Sequence, residues 1–261
     1  MLDETTIAAI ADDLAQAEKN RSKIGLLTAA YPDMSVEDSY AVQNEWRRRG
    51  EASGRRLIGH KIGLTSKPMQ QATGITEPDY GAIFADQVYD TGAVIDHSRY
   101  SGVRVEVELA FVLRDELRGP DINLIDVLRA TEYVVPALEV LSSRIEMEGR
   151  TIVDTISDNA ALGAMVLGGS PVAVDAVDLR RVGALLYRNE SVEDSGLAAA
   201  VLDHPARGIV WLANKLAEHG DVLQAGETVL AGSFTRPMWV SPGDTVHADY
   251  GDLGVITCRF T

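Results

Sequence analysis

Two carboxylates stand inside an apolar run, Val103-Arg104-Val105-Glu106-Val107-Glu108-Leu109-Ala110-Phe111-Val112-Leu113. β-Branched residues fill the run, which therefore predicts a strand. Side chains alternate faces along a strand, so Glu106 and Glu108 point the same way. Anions held in apolar surroundings need a proton, a basic partner or a metal. A third acid, Glu139, interrupts Val134-Val135-Pro136-Ala137-Leu138-Glu139-Val140 in the same manner. Three hard oxygen donors on two apolar strands predict a divalent cation such as magnesium, with positions left open to a substrate. A Glu-x-Glu pair on a half-exposed strand is, by itself, usually a solvated face. Glu139, set between Ala137-Leu138 and Val140-Leu141, is hard to place on a surface.

The acids also weigh on the whole chain. Its 261 residues carry a formal net charge of −15. Such a balance repels phosphate backbones and excludes nucleic acid as a partner. An anionic substrate would need a bound cation and a few placed arginines or lysines. With 46% hydrophobic residues the chain can build a sizeable core, as one large domain or a domain with an appendage. Cys258 is the single cysteine, so no intrachain disulfide forms and a reducing cytoplasm fits. The start, Met1-Leu2-Asp3-Glu4-Thr5-Thr6, lacks the basic region of a signal peptide. No apolar run approaches a membrane span, and no membrane partner is expected.

Residues 1–55 read as a helical N-terminal region packed on the core. Ile7, Ile10 and Leu14 recur at helical spacing. Ser35 and Asp38 form a capping-box pattern at the head of a second helix. Residues 56–261 read as one catalytic, β-rich unit with short strands and glycine turns. Leu57 to Leu64 predicts a strand, Asp121 to Ala130 a short helix, and Ala184 to Asp194 a hairpin turning at Arg188-Asn189. A helix over Pro205–Glu218 is expected, capped by Asp203 and stopped by Gly220. Thr228 to Leu230, Met238 to Val240, Thr245 to Tyr250 and Val255 to Phe260 predict closing strands. Strands and helices do not alternate regularly, so the expected class is α+β, with a curled, mixed, mostly-β core.

Lys61 sits on the Leu57–Leu64 strand between Gly59 and Gly63, all on one face. Glycines there leave room for a ligand near the backbone. The lysine could hold an anion or donate a proton, the latter if burial lowers its pKa, although a snorkelling surface lysine fits the same pattern. His60 faces the opposite way and reads as a core or interface histidine. Glu77-Pro78-Asp79-Tyr80-Gly81 reads as a turn bearing acids. Ser157-Asp158-Asn159 could offer donors to a carboxylate or merely cap a turn. Arg236, in Gly232-Ser233-Phe234-Thr235-Arg236-Pro237, could fork onto a second carboxylate. No P-loop, dinucleotide fingerprint, Cys-x-x-Cys or His-x-x-x-His occurs. Gly232-Ser233 lacks the second glycine of a nucleophile elbow.

Taken in order, these segments resemble the hydratase and decarboxylase branch of the fumarylacetoacetate hydrolase superfamily. The resemblance rests on Gly59-His60-Lys61-Ile62-Gly63-Leu64-Thr65-Ser66, Glu77-Pro78-Asp79-Tyr80-Gly81, Glu106-Val107-Glu108 and Pro136-Ala137-Leu138-Glu139. Asp154-Thr155-Ile156-Ser157-Asp158-Asn159-Ala160, His204-Pro205-Ala206 and Trp211-Leu212-Ala213-Asn214-Lys215-Leu216 extend it over nearly the whole chain. It implies a magnesium or manganese ion on Glu106, Glu108 and Glu139, with Lys61 and Asp79 beside the reacting carbons. It places Ser157, and with it Leu64 and Thr65, against a small anionic 2-oxo acid. It implies a large homo-oligomer, often built from pentamers. Gly232 to Pro237 and Asp249-Tyr250-Gly251 point within the branch to hydration of 2-oxo-hept-4-ene-1,7-dioate, an intermediate of homoprotocatechuate breakdown. Hydration of 2-hydroxypenta-2,4-dienoate, decarboxylation of 4-oxalocrotonate, and metal-dependent dicarboxylate binding without turnover are the alternatives. The His–Glu pair of the carbon–carbon hydrolases has no matching position.

Overall fold

A strand, β5 (Arg104–Leu113), forms where the apolar run predicts one, and the molecule is arranged around it. The structure is a computed structural model and describes residues 1–66, 70 and 77–261. One edge of β5 pairs antiparallel with β6 (Thr131–Leu141). The other edge pairs with β10 (Thr228–Leu230) at one end and β11 (Met238–Trp239) at the other. Between those two contacts the chain leaves the sheet as a loop opposite Glu106 to Leu109. Beyond β10 lie β1 (Leu57–Gly63), parallel to it, and β2 (Asp79–Phe84), antiparallel to β1. Beyond β6 lie β7 (Leu162–Leu167) and β3 (Val88–Asp90). A second sheet runs β4 (Ala93–Ile95), β13 (Val255–Phe260), β12 (Thr245–Asp249), β8 (Gly183–Arg188) and β9 (Ser191–Leu197).

Strand alternation sorts the large sheet into two faces. Val105, Val107, Leu109 and Phe111 of β5 join Val246, Ala248, Ile256 and Phe260 of the small sheet in the main core. This sheet-on-sheet core is the curled β body expected from the sequence. The opposite face of β5 carries Glu106 and Glu108. It is bordered by a smaller apolar cluster that includes Ile83, Ala110, Val135, Ala137, Met165 and Leu230. The acids thus project from an apolar-backed sheet.

The N-terminal helices α1 (Glu4–Asn20), α2 (Leu27–Ala30) and α3 (Val36–Ala52) contribute to a cluster of their own. Ile10, Leu14 and Trp46 pack there with Phe84 of β2 and with Ile145. Each such buried side chain contributes about 1.5–3 kcal/mol. The Ser35–Asp38 capping box is present. Three local expectations are corrected. The helix α4 (Leu124–Ala130) is capped by Asn123, since Asp121 has a left-handed backbone (φ 74°). Asp79 opens β2 rather than occupying a turn. Helix α5 (Ile152–Ser157) precedes β7. Asp203 does not cap α6 (Ala206–Ala217): its carboxylate pairs with Arg180, and the first turn is closed by His204 Nδ1, which accepts from the Ala206 N–H. Among the described residues no helix is long and apolar enough to cross a membrane.

Candidate active site

The β5–β6 register sets Glu106 directly opposite Glu139 and Glu108 opposite Ala137. The three carboxylates offer oxygens that all lie within 4.8 Å of one another. Glu108 and Glu139 are buried, and Glu106 is half-buried and opens onto a cavity. Glu108 Oε2 accepts from the Gly232 N–H at 2.9 Å, so the β10–β11 loop is tied to the trio. Glu139 Oε1 has no hydrogen-bond partner among the described residues. Burial, then the charge of Glu139, pushes Glu106 up to about 8. Burial, then Glu139 and Glu106, raise Glu108 as well. Three crowded carboxyls, two of them buried, are what a divalent cation satisfies. An all-oxygen donor set suits magnesium or manganese.

Lys61 and Asp79 face the trio from β1 and β2. Lys61 Nζ stands 3.3 Å from Glu139 Oε1, and both residues are buried. Asp79 is paired in register with Gly63, and its Oδ1 has no hydrogen-bond partner among the described residues. A Cβ added at Gly63 would collide with that Oδ1 and lie 3.1 Å from Lys61 Nζ. Gly63 therefore makes room for two functional groups. Gly59 serves differently from what its place beside Lys61 suggests: a Cβ there would meet the Thr228 backbone oxygen of the parallel β10 strand. Burial raises the Asp79 carboxyl, against the opposing pull of Lys61. Burial alone would lower Lys61, but the charges of Glu139, Asp79, Glu106 and Glu108 outweigh it and raise the ammonium above its usual value. His60 lies on the other face, buried, with Nδ1 3.0 Å from Glu227 Oε2.

The cavity between these groups has a volume of about 180 Å³. Leu64 and Thr65 line it, as do Arg104, Arg150, Thr155, Ser233 and Thr235. Ala160 and Ala161 form part of its wall and, with Asn159, hold left-handed backbone angles (φ 49°, 59° and 50°). Such strain persists only where the surroundings impose it. Here the Asn159 side chain bonds both the N–H and the carbonyl of Ala82, and Asp158 is gripped by Arg144 and Arg150.

Two sequence candidates stand elsewhere. The Ser157 hydroxyl donates to the Val153 carbonyl within its own helix and does not line the cavity; Thr155 does. Arg236 is 81% exposed, and its Nε bonds Asp194 Oδ2 at 3.1 Å. It borders a neighbouring groove that shares Ser66, Ser233 and Thr235 with the cavity. Sequence reasoning misses Arg104 and Arg150. Arg104 shares strand parity with Glu106, a signal the sequence does hold. Arg150 arrives from a loop, with no periodicity to mark it.

Residues 61–261 match the fumarylacetoacetate (FAA) hydrolase C-terminal family. The chain belongs to that family. Within the fumarylacetoacetate hydrolase family it is 51% identical to a 2-oxo-hept-4-ene-1,7-dioate hydratase of Escherichia coli, over the full length of both chains. It is 38% identical to a 2-keto-4-pentenoate hydratase of Paraburkholderia xenovorans, covering 96% of this chain and 93% of the other. Among solved structures, 4-oxalocrotonate decarboxylase from Pseudomonas putida G7, complexed with magnesium and adipate, superposes with a TM-score of 0.98. That pair is 36% identical and covers 100% of this chain and 99% of the other. Fumarylpyruvate hydrolase from Pseudomonas aeruginosa, at 16% identity and a TM-score of 0.61 over 79% of this chain and 89% of the other, shares the fold. The hydratase and decarboxylase relatives make the protein an enzyme.

Proposed function

We propose that the protein is a lyase, a divalent-metal-dependent hydratase that converts 2-oxo-hept-4-ene-1,7-dioate to 4-hydroxy-2-oxoheptanedioate in aromatic catabolism. The observation that carries this reading is the Glu106–Glu108–Glu139 cluster, with Lys61 in contact with it and Lys61 and Asp79 lining the same small cavity as Glu106 and Glu108. The full-length identity to a hydratase of that substrate supports it, as does the magnesium and adipate complex of a structural relative.

Glu106, Glu108 and Glu139 would hold the ion, magnesium or manganese. When bound, it supplies a Lewis acid for the carboxylate and 2-oxo group and an electrostatic sink for the enolate charge. The protein's own groups handle the protons. A proton leaves the third carbon and one returns at the fifth, which moves the double bond into conjugation with the ketone. Water then adds across the new double bond, its oxygen at the fourth carbon and its proton at the third. Lys61 and Asp79 are the proton-handling pair. Lys61 also places a fixed positive charge where negative charge develops. Leu64 and Thr65 bound the cavity. The reading includes a cytoplasmic homo-oligomer, in keeping with the family resemblance.

The test is direct. Unsaturated 2-oxo diacids are incubated with the protein and magnesium, and the products are separated. Accumulation of 4-hydroxy-2-oxoheptanedioate supports hydration. Release of carbon dioxide from 4-oxalocrotonate without hydration would favour the decarboxylase reading. Ligand and metal binding without turnover would leave only a binding protein.

A further inference from the structure

Arg104 occupies the cavity on unusual terms. It lies two residues before Glu106 on β5, hence on the same face and about 6.6 Å along the strand. The Trp239 ring covers its guanidinium at 5.4 Å. Among the described residues its side-chain hydrogen bonds are long: Nη2 to Ser143 Oγ at 3.3 Å and Nε to the Gly102 carbonyl at 3.4 Å. A guanidinium has five N–H donors, so most of the fork is uncommitted. Among the described residues Arg104 has no ion-pair partner, whereas the neighbouring Arg144 and Arg150 both bind Asp158.

Arg150 reaches the same hydroxyl, its Nη1 donating to Ser143 Oγ at 2.9 Å. Two guanidiniums therefore converge on one neutral oxygen at one end of the cavity. Arg150 is already paired with Asp158, which leaves Arg104 as the guanidinium in want of an anion. Glu106 is not that anion, because it belongs to the metal trio. Leu141 and Met147 supply apolar wall beside the pair.

We propose that Arg104, backed by Arg150 through Ser143, is the subsite for the second carboxylate of a dicarboxylic 2-oxo acid. The proposal rests on the hydratase reading and gives it a basis for preferring diacids. A planar fork binding a carboxylate in two places explains why the rest of the guanidinium is left free. It replaces Arg236, which is spent on Asp194 outside the cavity.

The test uses the full chain with magnesium. Arg104→Met is compared with the unaltered protein on 2-oxo-hept-4-ene-1,7-dioate and on 2-keto-4-pentenoate, which lacks the second carboxylate. Adipate binding is measured in parallel by calorimetry. The diacid-to-monoacid ratio of kcat/KM should fall by about 10- to 100-fold, mostly through KM, with a similar loss of adipate affinity. Equal losses on both substrates, or unchanged adipate affinity, would overturn the subsite. If Arg104→Met does not fold, Arg104→Lys keeps the charge without the fork, and the same ratio should fall. Should the unaltered protein hydrate neither acid, the hydratase reading fails, while the adipate arm still decides whether Arg104 holds a carboxylate.

Discussion

Glu106 and Glu139 stand directly opposite each other across the antiparallel β5–β6 pair. Like charges at such positions destabilise a sheet. Their juxtaposition, with Glu108 beside them, makes sense as a cation site built into two interior strands of the large sheet. Glu106→Gln or Glu139→Gln should lower magnesium affinity by at least tenfold and reduce turnover by several orders of magnitude. Calorimetric titration with magnesium and manganese checks the first effect, and rates at saturating metal the second. Wild-type metal affinity in both variants would remove the trio from the site.

Lys61 Nζ stands 3.3 Å from Glu139 Oε1, and its strand pairs with the one that carries Asp79. Lys61→Ala should cut kcat by about two to four orders of magnitude. If only KM changed, Lys61 would be an anion holder and not part of the proton path.

Gly63→Ala tests the packing of the proton-handling pair. The new methyl would collide with Asp79 Oδ1 and crowd Lys61 Nζ. Interiors packed at crystal-like density transmit such displacements. Turnover should fall by at least tenfold while circular dichroism stays that of the folded protein. Full activity would show that Asp79 need not keep its position.

Cys258 is buried in the core between the sheets, and burial pushes its thiol up to about 12. At pH 8 it is a neutral thiol without access to reagent. The native protein should therefore take up no iodoacetamide in an hour at pH 8, and one equivalent once unfolded, as counted by mass spectrometry. Rapid native labelling would contradict the core placement.

Arg236→Ala should leave the diacid-to-monoacid ratio of kcat/KM within about twofold, because an exposed pair with Asp194 contributes little. A selective loss on the diacid would return Arg236 to the substrate.

Much of this site is legible in the chain because strand periodicity is short and strict. Glu106 and Glu108 have to share a face once their run is a strand, and an acid at 139 has few other uses. The capping box at Ser35 is equally local. What escapes is non-local. Arg150 reaches the cavity from a loop, and its meeting with Arg104 at Ser143 depends on how that loop folds over β5 and β6. The reason for Gly59 lies in β10, which is far along the chain and parallel to its strand. Ser157 and Asp203 mislead because short polar side chains serve helix backbones and ion pairs as readily as ligands.

One measurement bears most directly on the metal-assisted hydration. The protein is stripped with a chelator, dialysed, and assayed on 2-oxo-hept-4-ene-1,7-dioate before and after magnesium is restored, with the product identified by mass spectrometry. The stripped protein should be inactive, and magnesium should restore formation of 4-hydroxy-2-oxoheptanedioate. Full-rate hydration by verified metal-free protein would contradict the account.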